Sequence, residues 1–168
     1  MATVQVFIPA TLAMLQRLVA DGSLWPINGT AFAVTPTLRE SYAEGDDDEL
    51  AEVALQEAAL ASLRLLADGG NENLPPRRAV LAAEVDDATR RPDLDDAVVR
   101  LGGPVAIDQV VAAYVDNVAA EPAVAAAMEA IDAADVGDED AELVVGDAQD
   151  HDLAWYANQE LPFLLDLL

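Results

Sequence analysis

Short patterns of hydrophobic and polar residues predict β-strands along this chain. Val4, Val6 and Ile8 recur with a period of two, and this alternation predicts a strand that ends at Pro9. Residues 30–34 predict a second strand. Further short apolar runs predict strands over residues 78–85, 97–101, 153–156 and a segment that ends at residue 115.

Helical spacing of apolar residues, together with capping residues, predicts three longer helices. Thr11 can cap a helix that ends near Gly22, because glycine accepts the left-handed conformation at that position. Asp46 and Glu49 have the spacing of a capping box before a long helix. The apolar positions of that helix cover more than one stripe, so we expect it to pack on two sides. A third helix is predicted over residues 122–136.

The order of these elements predicts an α+β fold in a single domain over residues 1–168. We expect one mixed sheet of about five to six strands with helices packed on it. A ferredoxin-like core with a helical insertion is one arrangement that fits. Residues 86–96 are polar and predict a long surface loop. The sequence leaves open whether the acidic residues 138–152 are ordered.

The charge of the chain narrows the range of partners. The 168 residues include 32 acids and 8 bases, all arginine, and the net charge is −24. Residues 101–168 hold fifteen of the acids and no base. We therefore expect no direct binding of nucleic acid and none of an anionic membrane surface, since both need basic groups. A basic or apolar protein partner fits better, although the charge also serves solubility alone.

Targeting segments are not evident in the sequence. The amino terminus lacks a basic region followed by an apolar one, and no stretch of about 18 apolar residues occurs. We therefore expect neither a signal peptide nor a transmembrane helix, and we expect a cytoplasmic location.

Residues that carry chemistry are few. Cysteine is absent, and the single histidine, His151, stands between Asp150 and Asp152. A carboxylate beside an imidazole can support a small enzyme or ligand site, although a nucleophile would have to come from elsewhere. Asp138 begins a run of acids with the spacing of a calcium loop, but Leu143 stands where that loop needs glycine. We expect no cofactor and no metal, and we assign no catalytic residue.

Candidate partner-binding residues lie in the acidic carboxyl-terminal half and in an apolar tail. The acidic candidates are Asp138, Glu139, Asp140, Glu142, Asp150, His151 and Asp152. The tail, residues 161–168, contributes Phe163, Leu164 and Leu167. An apolar terminus normally needs a cover, so it either docks on the protein's own sheet or serves a partner or a second copy of the chain.

Three functional hypotheses follow from these features. The first is a non-enzymatic interaction or accessory protein that uses its acidic half, its tail or both. The second is a small enzyme or ligand-binding domain with a carboxylate and histidine site at residues 150–152. The third is a nucleic-acid mimic, because Glu129, Asp132 and Asp135 recur at helical spacing and would extend the acidic array. We prefer the first, since nucleophile motifs, phosphate loops and metal-ligand spacings are missing.

Six segments resemble one family of uncharacterised proteins from GC-rich bacteria, a domain of unknown function. The segments are 6–11 (VFIPAT), 32–36 (FAVTP), 38–43 (LRESYA), 57–64 (EAALASLR), 137–141 (GDEDA) and 150–156 (DHDLAWY). The resemblance covers most of the chain. It implies a cytosolic protein of unassigned role, and it carries over no catalytic residues.

Overall fold

The computed structural model describes residues 3–42, 45–69 and 73–167. The helices in these ranges are α1 (Leu12–Asp21), α2 (Pro36–Ser41), α3 (Asp47–Ala67), α4 (Glu121–Asp135), α5 (Glu139–Gln149) and α6 (Leu161–Asp166). The strands are β1 (Val4–Ala10), β2 (Ser23–Leu24), β3 (Thr30–Phe32), β4 (Ala79–Val85), β5 (Ala88–Arg90), β6 (Val98–Leu101), β7 (Val105–Ala106), β8 (Val110–Val115) and β9 (Ala154–Ala157).

Seven of the strands form one sheet, in the order β5-β6-β3-β1-β4-β8-β9, while β2 and β7 pair separately. Every pair of described strands is antiparallel, so the expected mixed sheet is in fact antiparallel. The predicted α+β class is confirmed, with more strands than expected. In the main sheet the additional strand is β5, which lies in the segment predicted as a loop and pairs with β6. Short polar strands are common at sheet edges, and hydrophobic alternation does not reveal them. The short strands β2 and β7 were not predicted either.

The ferredoxin-like arrangement is present only in part. Strands β3 and β4, joined through α2 and α3, lie on either side of β1 and so form one split βαβ unit. Strands β8 and β9, joined through α4 and α5, are direct neighbours instead. The chain therefore continues the sheet outward after β4 rather than returning to its centre.

Strand β1 continues through Pro9, where the sequence predicted an end. Pro9 lies opposite Val80 of β4, but β3 pairs with β1 only at Phe7–Phe32. At Pro9 one side of β1 thus has no described ladder, and the missing N–H group of proline is tolerated there.

Helices cover both faces of the sheet. On one face, α1 and α6 pack on residues of β1 and β4, and Leu15 and Leu161 are fully buried there. On the other face, the first half of α3 packs on Phe7 and Val80 through side chains such as Leu55. This second contact forms the floor of the candidate site.

The second half of α3 packs against a helical hairpin made by α4 and α5. A separate apolar cluster joins the three helices and includes Leu63, Val124, Ile131 and Val145. Helix α3 is therefore packed on two sides along its length, as its broad apolar surface predicted.

Helix caps account for two acidic runs in the sequence. Asp46 accepts a hydrogen bond from the N–H of Glu49 at 2.9 Å, as the capping prediction required. Asp138 accepts one from the N–H of Ala141 at 2.9 Å and begins α5. The segment after Asp138 is thus helical, and its calcium-like spacing reflects a capped first turn that favours negative charge.

Candidate functional site

A buried ion pair holds the turn between α5 and β9 against the sheet. Arg78 and Asp116 are 1% and 0% exposed. The Nε and Nη2 atoms of Arg78 donate to Oδ2 and Oδ1 of Asp116, each at 2.8 Å. Nη2 also donates to the backbone carbonyl of His151 at 2.8 Å. One guanidinium therefore joins the start of β4, the end of β8 and the segment 150–152, which the sequence singled out.

It is the backbone carbonyl of His151, and not its ring, that accepts the hydrogen bond from Arg78. The side chain of His151 is half-buried, and within the described ranges no hydrogen bond joins the ring to a hydroxyl group. Ser62, one of the three serines in the chain, is fully buried. Its Oγ donates to the carbonyl of Ala10 at 2.7 Å and accepts from the N–H of Ala79 at 3.0 Å. Ser62 thus joins α3 to the sheet, and its described hydrogen bonds are to backbone atoms rather than to the ring of His151.

A groove lies between the first half of α3 and the β8–β9 end of the sheet. It consists of two adjoining cavities of about 300 and 280 Å³ that share Glu52, Leu55 and Tyr114. We call this feature the α3 groove. Its other lining residues are Gln56, Asp152 and Leu153 in the first cavity, and Gln5, Phe7, Asp48 and Ala51 in the second.

Carboxylates dominate the polar lining of the α3 groove. Asp48 and Glu52 come from α3, and Asp152 comes from the turn that follows α5. Among the described ion pairs none includes these three acids, and the nearest along α3 joins Asp47 to Arg39. The Nε2 atom of Gln56 donates to Oε1 of Glu52 at 3.0 Å. The groove therefore presents negative charge that no arginine of its own lining compensates.

One aromatic ring, that of Tyr114, lines the groove, and a second, that of Trp155, lies on the neighbouring strand. Tyr114 is half-buried against the apolar cluster of α3 and the sheet. Trp155 of β9 is its cross-strand partner and is 57% exposed. Residues directly opposite in an antiparallel pair share one face, so both rings lie on the α3 side of the sheet.

The predicted acidic residues fall into two places. Asp138, Glu139, Asp140 and Glu142 are exposed at the start of α5, and Asp150 is exposed at its end. Only Asp152 reaches the groove. Local sequence patterns did not indicate that Asp152 shares a cavity with Glu52 and Tyr114, because these two residues lie in other elements. An exposed tryptophan in a short strand, Trp155, was the local pattern that could have indicated a contact surface.

The apolar tail is split between core and surface. Leu161 and Leu164 are 0% and 6% exposed and belong to the core beside α1. Phe163 and Leu167 are 71% and 85% exposed. The tail therefore docks on the protein's own sheet, and Leu164 has no accessible side chain for a partner. Leu168 lies outside the described residues.

Burial affects the ionisation of Glu57, on the side of α3 that faces the loop before β6. Burial raises the pKa of its carboxyl group, the charge of Asp95 raises it further, and Arg64 partly offsets both. A raised carboxyl pKa means that the folded state holds the proton more readily than the unfolded state. The associated stability is present below the ordinary pKa of glutamate and is lost as the pH rises through the folded value.

We expect Glu57→Gln to stabilise the protein at pH 7 and to have no such effect at about pH 4, near the ordinary pKa of glutamate. Urea unfolding at the two pH values measures the difference. Glu40→Gln, an exposed change on α2, controls for the general gain from reduced charge. Equal effects of the two variants at pH 7 would contradict the expectation.

The described part of the chain contains neither a cluster of metal ligands nor a helix that could span a membrane. In these ranges, no group of three or more histidine, aspartate or glutamate side chains is placed to hold a metal ion. Within the same ranges, none of the helices has both the length and the apolar character needed to cross a bilayer.

Comparison with known proteins identifies the family but no activity. Neither the curated proteins nor the solved structures contain a significant match to this chain. A family described as "Family of unknown function (DUF6912)" matches residues 4–165. The resemblance to a family of unassigned function is thus confirmed, and the chain belongs to DUF6912.

Proposed function

We propose that this protein is a non-enzymatic interaction protein that binds a basic protein partner through the acidic surface of its α4–α5 hairpin. The observation that supports this proposal is that the predicted acids of α5 are exposed on a regular helix. The acidic hairpin surface consists of Glu139, Asp140, Glu142, Asp147 and Asp150. None of these five takes part in a described ion pair with an arginine.

Buried side chains of α5 and a hydrogen bond after it fix the position of the hairpin. Val145 and Ala148 of α5 are buried against α3 and α4, and the turn after α5 is tied to Arg78. A surface that is already ordered loses little conformational entropy on binding. Its single sign of charge would accelerate association with a basic partner and would make the affinity sensitive to salt.

The tail supports a second, smaller contact. Phe163 and Leu167 expose apolar surface on α6, which would suit an apolar partner or a second copy of the chain. The mimicry hypothesis has less support from the hairpin. Asp135, one of its three helical acids, forms an ion pair with Arg64 at 2.9 Å.

The experiment is capture of partners from the native lysate at low salt, with the protein tagged at its amino terminus. We expect a stoichiometric basic protein that is released in roughly 1 M salt, where the Debye length is about 3 Å. The triple variant Glu139→Gln, Asp140→Asn and Glu142→Gln should reduce capture at least severalfold, since steering and rim contacts depend on charge.

A charge-matched control separates a specific surface from net charge. The control variant also loses three negative charges, but from exposed positions outside the hairpin, through Asp21→Asn, Asp86→Asn and Asp166→Asn. This control should retain capture. A partner lost equally from both triple variants, or one that resists salt and depends on Phe163 instead, would overturn the assignment to the hairpin. A captured DNA-binding protein displaced by DNA would favour mimicry.

A further inference from the structure

We propose that the α3 groove binds an arginine side chain of the basic partner. This inference rests on the proposed function and adds the chemistry that the partner would present. Helix α3 lines the groove with its first half and packs on α4 and α5 with its second half. The wall of the groove also includes Asp152, two residues after Asp150 of the acidic hairpin surface. A partner seated on the hairpin could therefore extend one side chain into the groove.

Each cavity of the groove has room for one long side chain. The larger cavity, of about 300 Å³, is at the lower end of the range for small-molecule sites. The floor is aliphatic, because Leu55 is buried and Leu153 is half-buried there. Long basic side chains lay their methylene groups along such apolar surface while the charged end reaches polar groups.

The neighbouring aromatic residues Tyr114 and Trp155 favour arginine over lysine as the bound side chain. Tyr114 lines both cavities, and Trp155 stands directly across from it in the β8–β9 ladder. A guanidinium group is planar and weakly hydrated, and it stacks on aromatic faces more readily than an ammonium group does. We therefore expect an arginine to bind more tightly than a lysine.

The carboxylates supply charge from two sides of the groove. Glu52 projects from α3, and its Oε1 atom accepts the hydrogen bond of Gln56, which limits its rotation. Asp152 follows His151, whose carbonyl Arg78 holds at 2.8 Å. Both acids thus belong to supported segments. Carboxylates at separate positions can accept the several N–H donors of one guanidinium, which an ammonium group satisfies less well.

The test uses a defined peptide and Trp155, the tryptophan on the strand beside the groove. The chain contains two tryptophans, and Trp25→Phe leaves Trp155 as the reporter. The probe is acetyl-Gly-Gly-Arg-Gly-Gly-amide, titrated at low salt, with lysine and glutamine versions of the same peptide. We expect a saturable change in Trp155 fluorescence with the arginine peptide, a weaker affinity with lysine and no saturation with glutamine.

Variants of the groove test whether its carboxylates contribute to the affinity for the arginine peptide. Glu52→Gln and Asp152→Asn should each weaken the arginine peptide by about two- to fivefold, the range of partly exposed ion pairs. Asp21→Asn, an exposed change on α1 at the opposite face of the sheet, should leave the peptide affinity unchanged. The inference is overturned if the glutamine peptide binds equally well, if no peptide saturates, or if both groove variants bind normally while circular dichroism shows them folded.

The two proposals can fail separately. If the hairpin variants abolish partner capture but the arginine peptide shows no saturable binding, the groove inference fails alone. If the peptide binds as expected but no basic partner is captured, the interaction function fails and the chemistry assigned to the groove remains.

Discussion

Replacing Arg78 with methionine is expected to lower the free energy of unfolding by about 3–5 kcal/mol, the usual cost of breaking a buried ion pair from one side. The variant leaves the carboxylate of Asp116 buried without its guanidinium partner. It also removes the hydrogen bond to the carbonyl of His151. Urea unfolding followed by far-ultraviolet circular dichroism measures the loss.

Two further variants isolate the cause. Arg64→Met breaks an ion pair whose side chains are both nearly half exposed, and it should cost less than about 1 kcal/mol. The double change Arg78→Met with Asp116→Leu removes both charges and should recover much of the stability, because a buried pair replaced by apolar residues is often neutral. A double variant as unstable as Arg78→Met would show that the missing contact with His151, rather than the unpaired charge, is decisive.

Truncating Leu161 to alanine is expected to destabilise the protein by about 2–5 kcal/mol, as core truncations of leucine do. Leu161 is fully buried between α6 and the sheet. Its removal would leave a cavity and weaken the docking of the tail. The measurement is again equilibrium unfolding in urea.

The neighbouring change Phe163→Ala is the matched control. Phe163 lies on the same short helix but is largely exposed, and exposed substitutions usually change stability by within about 0.5 kcal/mol. The contrast also separates two roles of the tail. If Phe163→Ala destabilised the protein as much as Leu161→Ala, the exposed face of α6 would have to be packed in solution, most simply by a second copy of the chain.

Elements with capped ends were predictable from the sequence because capping acts between near neighbours. Thr11 accepts from the N–H of Met14 at 3.2 Å, and Gly22 has a φ of 79° at the end of α1. The start of α3 after Asp46 was found in the same way. The tail shows the limit of such reasoning, since its composition indicated docking but not which of its leucines would be buried.

Segments 86–96 and 138–152 show what local patterns miss. Strand β5 has almost no hydrophobic alternation, and it exists because β6 is beside it. The acids after Asp138 have the spacing of a calcium loop without its glycine, and the local pattern left their structure open, whereas they belong to a capped helix whose inner face packs on α3. In both cases the neighbouring element, rather than the segment itself, supplies the stabilising contacts.

The candidate site depended most on the tertiary structure. By itself, the sequence determined the α+β class, the helices α1, α3 and α4, most strands of the main sheet, and the excess of acidic residues in the carboxyl-terminal half. It did not indicate that Arg78 pairs with Asp116, 38 residues away, or that Glu52 and Asp152 line one groove. The physical reason is that hydrophobic periodicity and capping act over a few residues. Contacts between distant side chains depend on the order of the strands, and the same periodic patterns are compatible with many such orders.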